Sequence, residues 1–427
     1  MSNINELKND ILNGKYDARM NEVYVDKALL DYQKNRYATA IDEFAKLFPE
    51  EKDVVIFSAP GRSEVCGNHT DHQHGKVLAT SINLDAIAVV SPLAETKIIL
   101  KSGDMDLISI ETDALEINEA EKDSTAALIR GVLAGLSQRG YKVGGFKAYV
   151  TSDVLMGAGM SSSAAFETLI GTIISGLYND DGVTSIEIAQ IGQYAENVYF
   201  GKPCGLMDQM ACSVGGMVTI DFEDEKKPVV SAVESDFAGA RISLCIVDTK
   251  GSHADLTPDY AAVPGEMKAV AAACGKTVLR EVEEEEFYAK LPEIIKATSG
   301  RAVLRAVHFY EEEKRVENAV ASLRAGKYDE FMQVISESGN SSMKYLQNIY
   351  SPKHIESQNM TVALAVSEVA LKGKGVCRVH GGGFAGTIQA FVKNEAVAEY
   401  KSAIEAVFGE GSCHVLKVRP YGGIKVM

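Results

Sequence analysis

A glycine turn followed by an acidic residue is the most informative chemical feature of this chain. The segment Cys204-Gly205-Leu206-Met207-Asp208-Gln209 holds a carboxylate directly behind the turn. A carboxylate in such a position can orient a hydroxyl group or accept its proton. A solvated turn could also carry an acid, but the bulky Met207 beside it is an odd choice for simple solvation. The segment therefore makes Asp208 a candidate functional residue rather than a solvated turn acid.

A glycine- and serine-rich segment, Gly157 to Ala165, is suited to holding phosphate. The apolar residues after it recur every three or four positions, which predicts a helix beginning at the serines. The first N–H groups of a helix lack partners within the helix, and the dipole there is positive, so the start of this helix can bind an anion. Its hydroxyls could also ligate magnesium. An ordinary serine cap remains an alternative, and no lysine follows the glycines as in the standard P-loop.

A polar loop, Ala59 to His72, follows the apolar run Val54 to Phe57 and has the character of a substrate-reading loop. Arg62 could stabilise a transferring phosphoryl group, and Asp71 could accept two adjacent sugar hydroxyls. Each could instead be a solvated loop charge. The run H-T-D-H lacks the spacing of a tetrahedral zinc site, and no cysteine pair completes one, so zinc is not expected.

The segment Gly381 to Gly386 matches the dinucleotide fingerprint G-x-G-x-x-G. That motif requires a helix after the glycines, whereas Thr387 to Val392 is typical of a strand. The glycines therefore predict a tight turn between two strands, packed close to a ligand or another loop.

Taken in order, the polar loop, the serine segment and the last glycine turn resemble the three motifs of the GHMP kinases, and the first two are similar to those of galactokinases. Galactokinases typically show G-R-x-N-x-I-G-E-H-T-D-Y, then G-G-G-L-S-S-S-A, then C-G-I-M-D-Q. The resemblance covers most of the chain from about Val54 onward. It implies an α+β, two-lobed GHMP kinase fold, with an N-terminal ribosomal-protein-S5-domain-2-like lobe and a C-terminal ferredoxin-like lobe. The implied reaction transfers the γ-phosphate of ATP to the C1 hydroxyl of galactose.

The resemblance also implies a role for each matched residue. Asp208 would be the catalytic acid/base and Arg62 its partner. Ser163 and Glu196 would hold Mg²⁺, which prefers hard oxygen donors. The nucleotide would lie on Gly157, Ala158, Gly159, Met160, Ser161, Ser162 and Ser163, and the sugar on Asn68, His69, Thr70, Asp71, Gly205 and Tyr260. Glu196 could instead be a charge on a helix face, and Tyr260 a half-buried loop aromatic.

The main departure from the galactokinase pattern is Asn68, which stands where the family carries the glutamate expected to bind the C6 hydroxyl. A glutamate there would repel a substrate carboxylate, whereas an amide can donate a hydrogen bond to it. Galacturonate is therefore an alternative substrate, and Asp71-His72-Gln73 and Ser338 to Ser342 are closer to plant galacturonokinase. Beyond Tyr260, Val263-Pro264 replaces the usual arginine pair. A non-catalytic sugar sensor is a further alternative, although Arg62, Asp208, Glu196 and the S-S-S-A run are all retained.

The composition predicts a compact, cytoplasmic enzyme. The 427 residues are 46% hydrophobic, which suits two lobes, and the net charge of −16 argues against a nucleic-acid partner. Seven cysteines without a C-x-x-C pattern suggest free thiols, and we expect neither a signal peptide nor a membrane-spanning segment. The expected partners are a small sugar and ATP, and the oligomeric state is left open, with a monomer compatible.

The elements that would position these residues divide the chain into three parts. Residues 1–50 are predicted to form an N-terminal helical extension, with a helix from Ala28 to Phe48. Residues 51–240 would form the ATP- and sugar-binding lobe, and residues 241–427 the C-terminal lobe. Strands are predicted at Val77 to Leu84, Ala86 to Val90, Ile242 to Asp248 and Thr387 to Lys393, and helices at Ala164 to Leu177, Ala302 to Leu323 and Asn359 to Leu371.

Overall fold

Two β-sheets carry the architecture of the computed structural model, which describes residues 1–155, 159–202, 204–251 and 256–427. Within these ranges the large sheet has nine strands and the small sheet four. The strands are β1 Ser2–Asn3, β2 Asp53–Cys66, β3 Lys76–Leu93, β4 Lys97–Ser102, β5 Ile108–Glu111, β6 Gly145–Ser152, β7 Met217–Asp221, β8 Val229–Ala232, β9 Ile242–Asp248, β10 Gly375–Val379, β11 Thr387–Lys393, β12 Cys413–Leu416 and β13 Ile424–Lys425.

Helices cover both sheets, so the fold is α+β, as expected. They are α1 Ile4–Leu12, α2 Asp17–Tyr24, α3 Leu30–Leu47, α4 Thr125–Gln138, α5 Ser162–Tyr178, α6 Ser185–Tyr194, α7 Met207–Val214, α8 Thr257–Ala273, α9 Glu284–Ala289, α10 Leu291–Ala297, α11 Gly300–Arg324, α12 Tyr328–Ser341, α13 Asn359–Leu371 and α14 Val397–Phe408. In the described part of the chain, no helix is long and apolar enough to cross a membrane.

The large sheet runs in the order β1-β2-β3-β6-β4-β5, with β13 added to β2 and the β7–β8 pair added to β3. The strands β4 and β6 are parallel, and the other pairs are antiparallel. The small sheet runs β10-β11-β9-β12 and is antiparallel throughout. Since β13 comes from residues 241–427 but joins the other sheet, the chain's end ties the two predicted lobes together. The three-part division itself stays a prediction.

Both faces of the large sheet are apolar, because successive side chains of β2 and β3 point to opposite faces and nearly all of them are buried. Val55 and Phe57 pack against the helices α4, α5 and α6. Val54 and Ile56 face the other way, and α1, α2 and α3 cover them. The N-terminal extension is therefore helical, as predicted, and it closes the second face of the sheet.

The strands predicted at Val77 to Leu84 and Ala86 to Val90 form one continuous strand, β3. The prediction of two strands separated at Asp85 was wrong. Asp85 has no exposed surface, yet it remains in the strand because Arg36 and Arg419 form ion pairs with its carboxylate at 2.6 and 2.9 Å. A charge that looks like a break in an apolar run is here neutralised inside the sheet.

Candidate active site

Arg62 and Asp208 form a bidentate ion pair at the centre of the candidate site. Arg62 lies on β2 and Asp208 in the first turn of α7. The arginine Nε donates to Oδ1 at 2.6 Å and Nη2 to Oδ2 at 2.5 Å. Burial alone would raise the pKa of Asp208, but the charge and hydrogen bonds of Arg62 outweigh it and lower the pKa below its usual value. The carboxylate is thus ionised at neutral pH and is only a weak base.

The serine segment approaches the same arginine. The backbone N–H of Arg62 donates to the Met160 carbonyl at 3.2 Å, and Nη1 donates to the Gly159 carbonyl. Ser161 has a left-handed φ of 56° and precedes α5 without a side-chain cap. The first N–H groups of α5 therefore remain available to an anion near Arg62. The predicted nucleotide contacts Gly157 and Ala158 lie outside the described residues.

Ser163 and Glu196, the predicted metal ligands, lie together. The Ser163 hydroxyl donates to Glu196 Oε1 at 3.1 Å, and Glu196 is 2% exposed. Two hard oxygen donors suit Mg²⁺, which usually takes one or two protein ligands and completes its shell with phosphate and water. The described residues contain no group of three or more His, Cys, Asp or Glu that could hold a metal ion.

Behind Glu196 lies a polar pair to which sequence reasoning assigned no role. Gln209 Nε2 donates to Glu196 Oε2 at 2.8 Å and to Glu167 Oε2 at 3.1 Å. Glu167 is buried, and burial followed by the charge of Glu196 raises its pKa well above the usual value. The sequence signal for Glu167 was an acid on the apolar face of a predicted helix. In the structure it stands one turn after Ser163 on α5.

Glycines allow close contacts on the sugar side of the site. A Cβ added to Gly205 would lie 2.2 Å from Asp71 Oδ2, and one added to Gly382 would lie 2.0 Å from the Tyr260 ring. Backbone without a side chain thus lets Asp71 and Tyr260 pack directly against the two turns. The structure brings together the predicted residues Gly205 and Asp71, and also Tyr260 and the glycine turn between β10 and β11, which has the strand–turn–strand form expected.

His69 offers a free acceptor at this place. Its Nε2 contacts the Gly382 carbonyl at 2.9 Å and must donate to it, and its buried Nδ1 has no partner among the described residues. Burial, followed by the neighbouring His72, lowers the pKa of His69 to about 3. The imidazole is therefore neutral at physiological pH, and Nδ1 can accept a hydrogen bond from a hydroxyl group.

Two predicted sugar contacts are engaged within the protein instead. The Thr70 hydroxyl is buried and contacts the carbonyls of Gly67 and Lys76 at 2.8 and 2.6 Å. Asn68 has no exposed surface, and its amide bonds to Glu64 and to the Gly381 carbonyl. The structure therefore does not bring either polar group to open space beside Asp71.

Glu64 is a further residue to which sequence reasoning gave no role. It pairs with Arg378 at 2.9 Å, and its pKa is raised because burial and the charge of Asp71 outweigh Arg378. The available signal was an acid two positions after Arg62, in the polar segment that follows the apolar run Val54 to Phe57. Its contact with Asn68 makes it part of the sugar side of the site.

Comparisons with known proteins identify sequence relatives of this chain. Residues 42–92 match the galactokinase galactose-binding signature, and residues 127–216 match the GHMP kinases N terminal domain. A galactokinase of Streptomyces coelicolor is 30% identical over 373 residues, which cover 87% of this chain and 92% of that protein. A galactokinase of Lactococcus lactis subsp. lactis is 27% identical over 380 residues, covering 86% and 90%.

Solved structures show the same architecture. The crystal structure of Lactococcus lactis galactokinase complexed with galactose superposes with a TM-score of 0.77 and 24% identity, over 91% of this chain and 99% of that one. A crystal structure of mevalonate kinase gives a TM-score of 0.59 at 16% identity, over 85% and 99%. At these identities the likeness establishes a shared fold, the two-lobed α+β fold expected from the motifs.

Proposed function

Because this chain belongs to the galactokinase family of the GHMP kinases, we propose that it transfers the γ-phosphate of ATP to the C1 hydroxyl of galactose, giving galactose 1-phosphate and ADP. The observation that carries the proposal is the Arg62–Asp208 pair, which adjoins the serine segment on one side. Gly205, which packs against Asp71, stands three residues before Asp208 in the chain.

In the proposed mechanism, the C1 oxygen attacks the γ-phosphorus, the bond to the bridging oxygen of ADP breaks, and the C1 proton passes to Asp208. Because Arg62 lowers the pKa of Asp208, the proton moves late, once the new O–P bond has made the hydroxyl more acidic. Arg62 also stabilises charge on the transferring phosphoryl group, whose transition state depends mainly on positioning and electrostatics.

Phosphoryl transfer in this family uses ATP, generally with a divalent metal. We propose that the metal is Mg²⁺ and that Ser163 and Glu196 hold it, since they offer adjacent hard oxygen donors. Bound there, it would neutralise phosphate charge. Gly159 to Ser163 would bind the phosphates through the N–H groups at the start of α5, together with Gly157 and Ala158.

The charges around Asp71 favour a neutral sugar over galacturonate. Glu64, Asp71 and Asp208 contribute three acids, and the charge of Asp71 acts on Glu64. Among the described residues here, Arg62 and Arg378 are already paired with Asp208 and Glu64. A substrate carboxylate would therefore meet these acids while Arg62 and Arg378 are already engaged, which is costly in a desolvated site. The neutral His69 and the carboxylate of Asp71 suit sugar hydroxyls instead.

The test is ATP-dependent phosphorylation by the purified protein of galactose, galacturonate, N-acetylgalactosamine and glucose, compared by kcat/KM. We expect the highest value for galactose. Preference for galacturonate would establish the alternative substrate, and sugar binding without turnover would establish a sensor. In the same assay, Asp208→Asn should lower kcat by roughly 10²–10⁴-fold while ATP binding persists. Unchanged turnover in that folded variant would remove Asp208 from the mechanism.

We also propose a cytoplasmic location. All seven cysteines are free thiols, and five of them are buried. Proteins of reducing compartments keep thiols in this form. Fractionation of the native cells, with the protein followed by antibody, would test this.

A further inference from the structure

The amide of Asn68 has no capacity left for a ligand. Its Nδ2 donates to Glu64 Oε1 at 3.0 Å and to the Gly381 carbonyl at 2.7 Å, and its Oδ1 accepts from Asn348 Nδ2 at 2.8 Å and from the Ser342 hydroxyl at 3.4 Å. An amide has two N–H donors and two acceptor positions, so all four are occupied. A contact with the sugar would require one of these buried bonds to break.

Glu64, which accepts a hydrogen bond from Asn68, is itself held by Arg378. Arg378 has no exposed surface, and its Nη2 donates to Glu64 Oε1 at 2.9 Å while Nη1 donates to the Val65 carbonyl at 2.6 Å. The Glu64 carboxylate is therefore held in place, and its hydrogen bond from Asn68 is charge-assisted and directional. One N–H of Asn68 is oriented by Glu64, which aims the other at the Gly381 carbonyl.

The other end of this connection is the Gly381–Gly383 turn. The Gly381 carbonyl accepts a hydrogen bond from Asn68. The Gly382 carbonyl accepts one from Asn348 Nδ2 at 3.1 Å and one from His69 Nε2 at 2.9 Å. Gly382 lies directly against Tyr260. A shift of the turn would therefore move both His69 and Tyr260, which lie on the sugar side of the candidate site.

We propose that Glu64 and Asn68 act as one acid–amide pair that positions the Gly381–Gly383 turn, and that Asn68 acts on the sugar through this turn rather than by contact with its C6 group. Asn68 is then a positioning residue. The inference rests on the proposed function for its effect on sugar, but the pairing itself does not depend on turnover.

The kinetic test compares galactose with 6-deoxygalactose, which lacks the C6 hydroxyl. Asn68→Asp keeps the size of the side chain but removes its donors. We expect this variant to lower kcat/KM by roughly tenfold or more, and by the same factor for both sugars, because the turn is displaced in each case. If the loss appears with galactose and disappears with 6-deoxygalactose, Asn68 contacts C6 and the proposal is wrong. The matched control is Asn118→Asp, the same change at an exposed position, which should leave both values unchanged.

A thermal-unfolding cycle tests the pair without any assay of activity. Asn68→Asp places a second carboxylate against Glu64, so its midpoint should fall by roughly 5 °C or more. Glu64→Gln removes that repulsion but also takes away the carboxylate that pairs with the buried Arg378, so the double variant should lose less than the sum of the two single shifts. If the two single shifts simply add, the residues are independent and the proposal fails. If the wild-type protein phosphorylates neither sugar, the proposed function fails, and this cycle alone decides the pairing.

Discussion

At the scale of single residues, Gly205 controls how closely the backbone approaches Asp71. A Cβ at position 205 would lie 2.2 Å from Asp71 Oδ2, far inside contact distance. We therefore expect Gly205→Ala to push the carboxylate aside and to raise KM for the sugar by roughly tenfold or more, with ATP binding little changed. Steady-state kinetics with each substrate varied in turn would measure this.

Gly265 provides the control for that prediction. It lies inside α8 with nothing within 4 Å of an added Cβ. Gly265→Ala should leave both KM values unchanged and should stabilise the helix by up to about 1 kcal/mol. Equal effects of the two substitutions on sugar KM would show that the Asp71 contact does not matter.

The residue scale is also where the sequence was most and least informative. Motif chemistry singled out Arg62 and Asp208, which lie 146 positions apart in the chain and meet in the structure. The same motif gave Asn68 an open amide, and the structure closes it with Glu64, Asn348 and the Gly381 carbonyl. A motif shows which side chain stands at a position. Whether the donors of that side chain are free depends on partners elsewhere in the chain, which for Asn68 lie up to 313 positions away.

At the scale of secondary structure, the helix α11 braces the loop that carries the sugar-side residues. Glu312 on α11 is buried, and its Oε1 accepts from the Gly67 N–H at 3.1 Å and from the Ser338 hydroxyl. Burial alone would raise the pKa of Glu312, but His308, Arg315 and Arg378 outweigh it and lower the pKa to about 2. The ionised carboxylate therefore stabilises the folded state.

Because the pKa of Glu312 is lowered in the folded protein, the loss of stability caused by Glu312→Gln should depend on pH. The pKa is about 2 in the folded protein, against 4.5 for an ordinary glutamate, so the stabilisation is complete above 4.5 and is lost as pH falls toward 2. We expect the variant to be less stable by about 3 kcal/mol at pH 7, with a difference that shrinks below pH 4.5. Urea unfolding at several pH values measures it. Glu330→Gln, at an exposed ion pair, should cost less than about 1 kcal/mol at any pH. A constant difference for Glu312→Gln would contradict the assignment.

Periodicity predicted the elements themselves well. The strand β9 and the helix α13 have the bounds expected, and α11 extends the predicted helix by two residues at its start and one at its end. Asp208, however, stands in the first turn of a helix rather than in an open turn. Eight residues are too few for a helical period to be distinct, so this helix forms through its packing against β2, β3 and α5 rather than through a readable pattern.

At the scale of the whole molecule, the sequence predicted an N-terminal helical extension but not its position. That position follows from the large sheet, whose second face would expose Val54, Ile56, Ile87 and Val89 without α1 to α3. A near-continuous apolar run shows that a strand is buried on both faces, but it does not show which distant segment covers each face. Here Arg36 of α3 and Arg419 near the C-terminus both reach Asp85, so one buried acid joins three parts of the chain.

Asp85→Asn should therefore destabilise the entire fold without altering the chemistry of the candidate site. Asp85 is fully buried, and Tyr24 also donates to its Oδ2 at 2.8 Å. Removing its charge leaves Arg36 with Asp153 as its one remaining acidic partner among the described residues. Arg419 then has no acidic partner among those residues. Breaking a buried ion pair from one side costs about 3–5 kcal/mol, so the urea midpoint should fall markedly. Lys327→Met, at an exposed pair, should cost less than about 1 kcal/mol. At a temperature where both variants are folded, kcat should match the wild type. A variant that keeps its stability would show that the two arginines need no counterion.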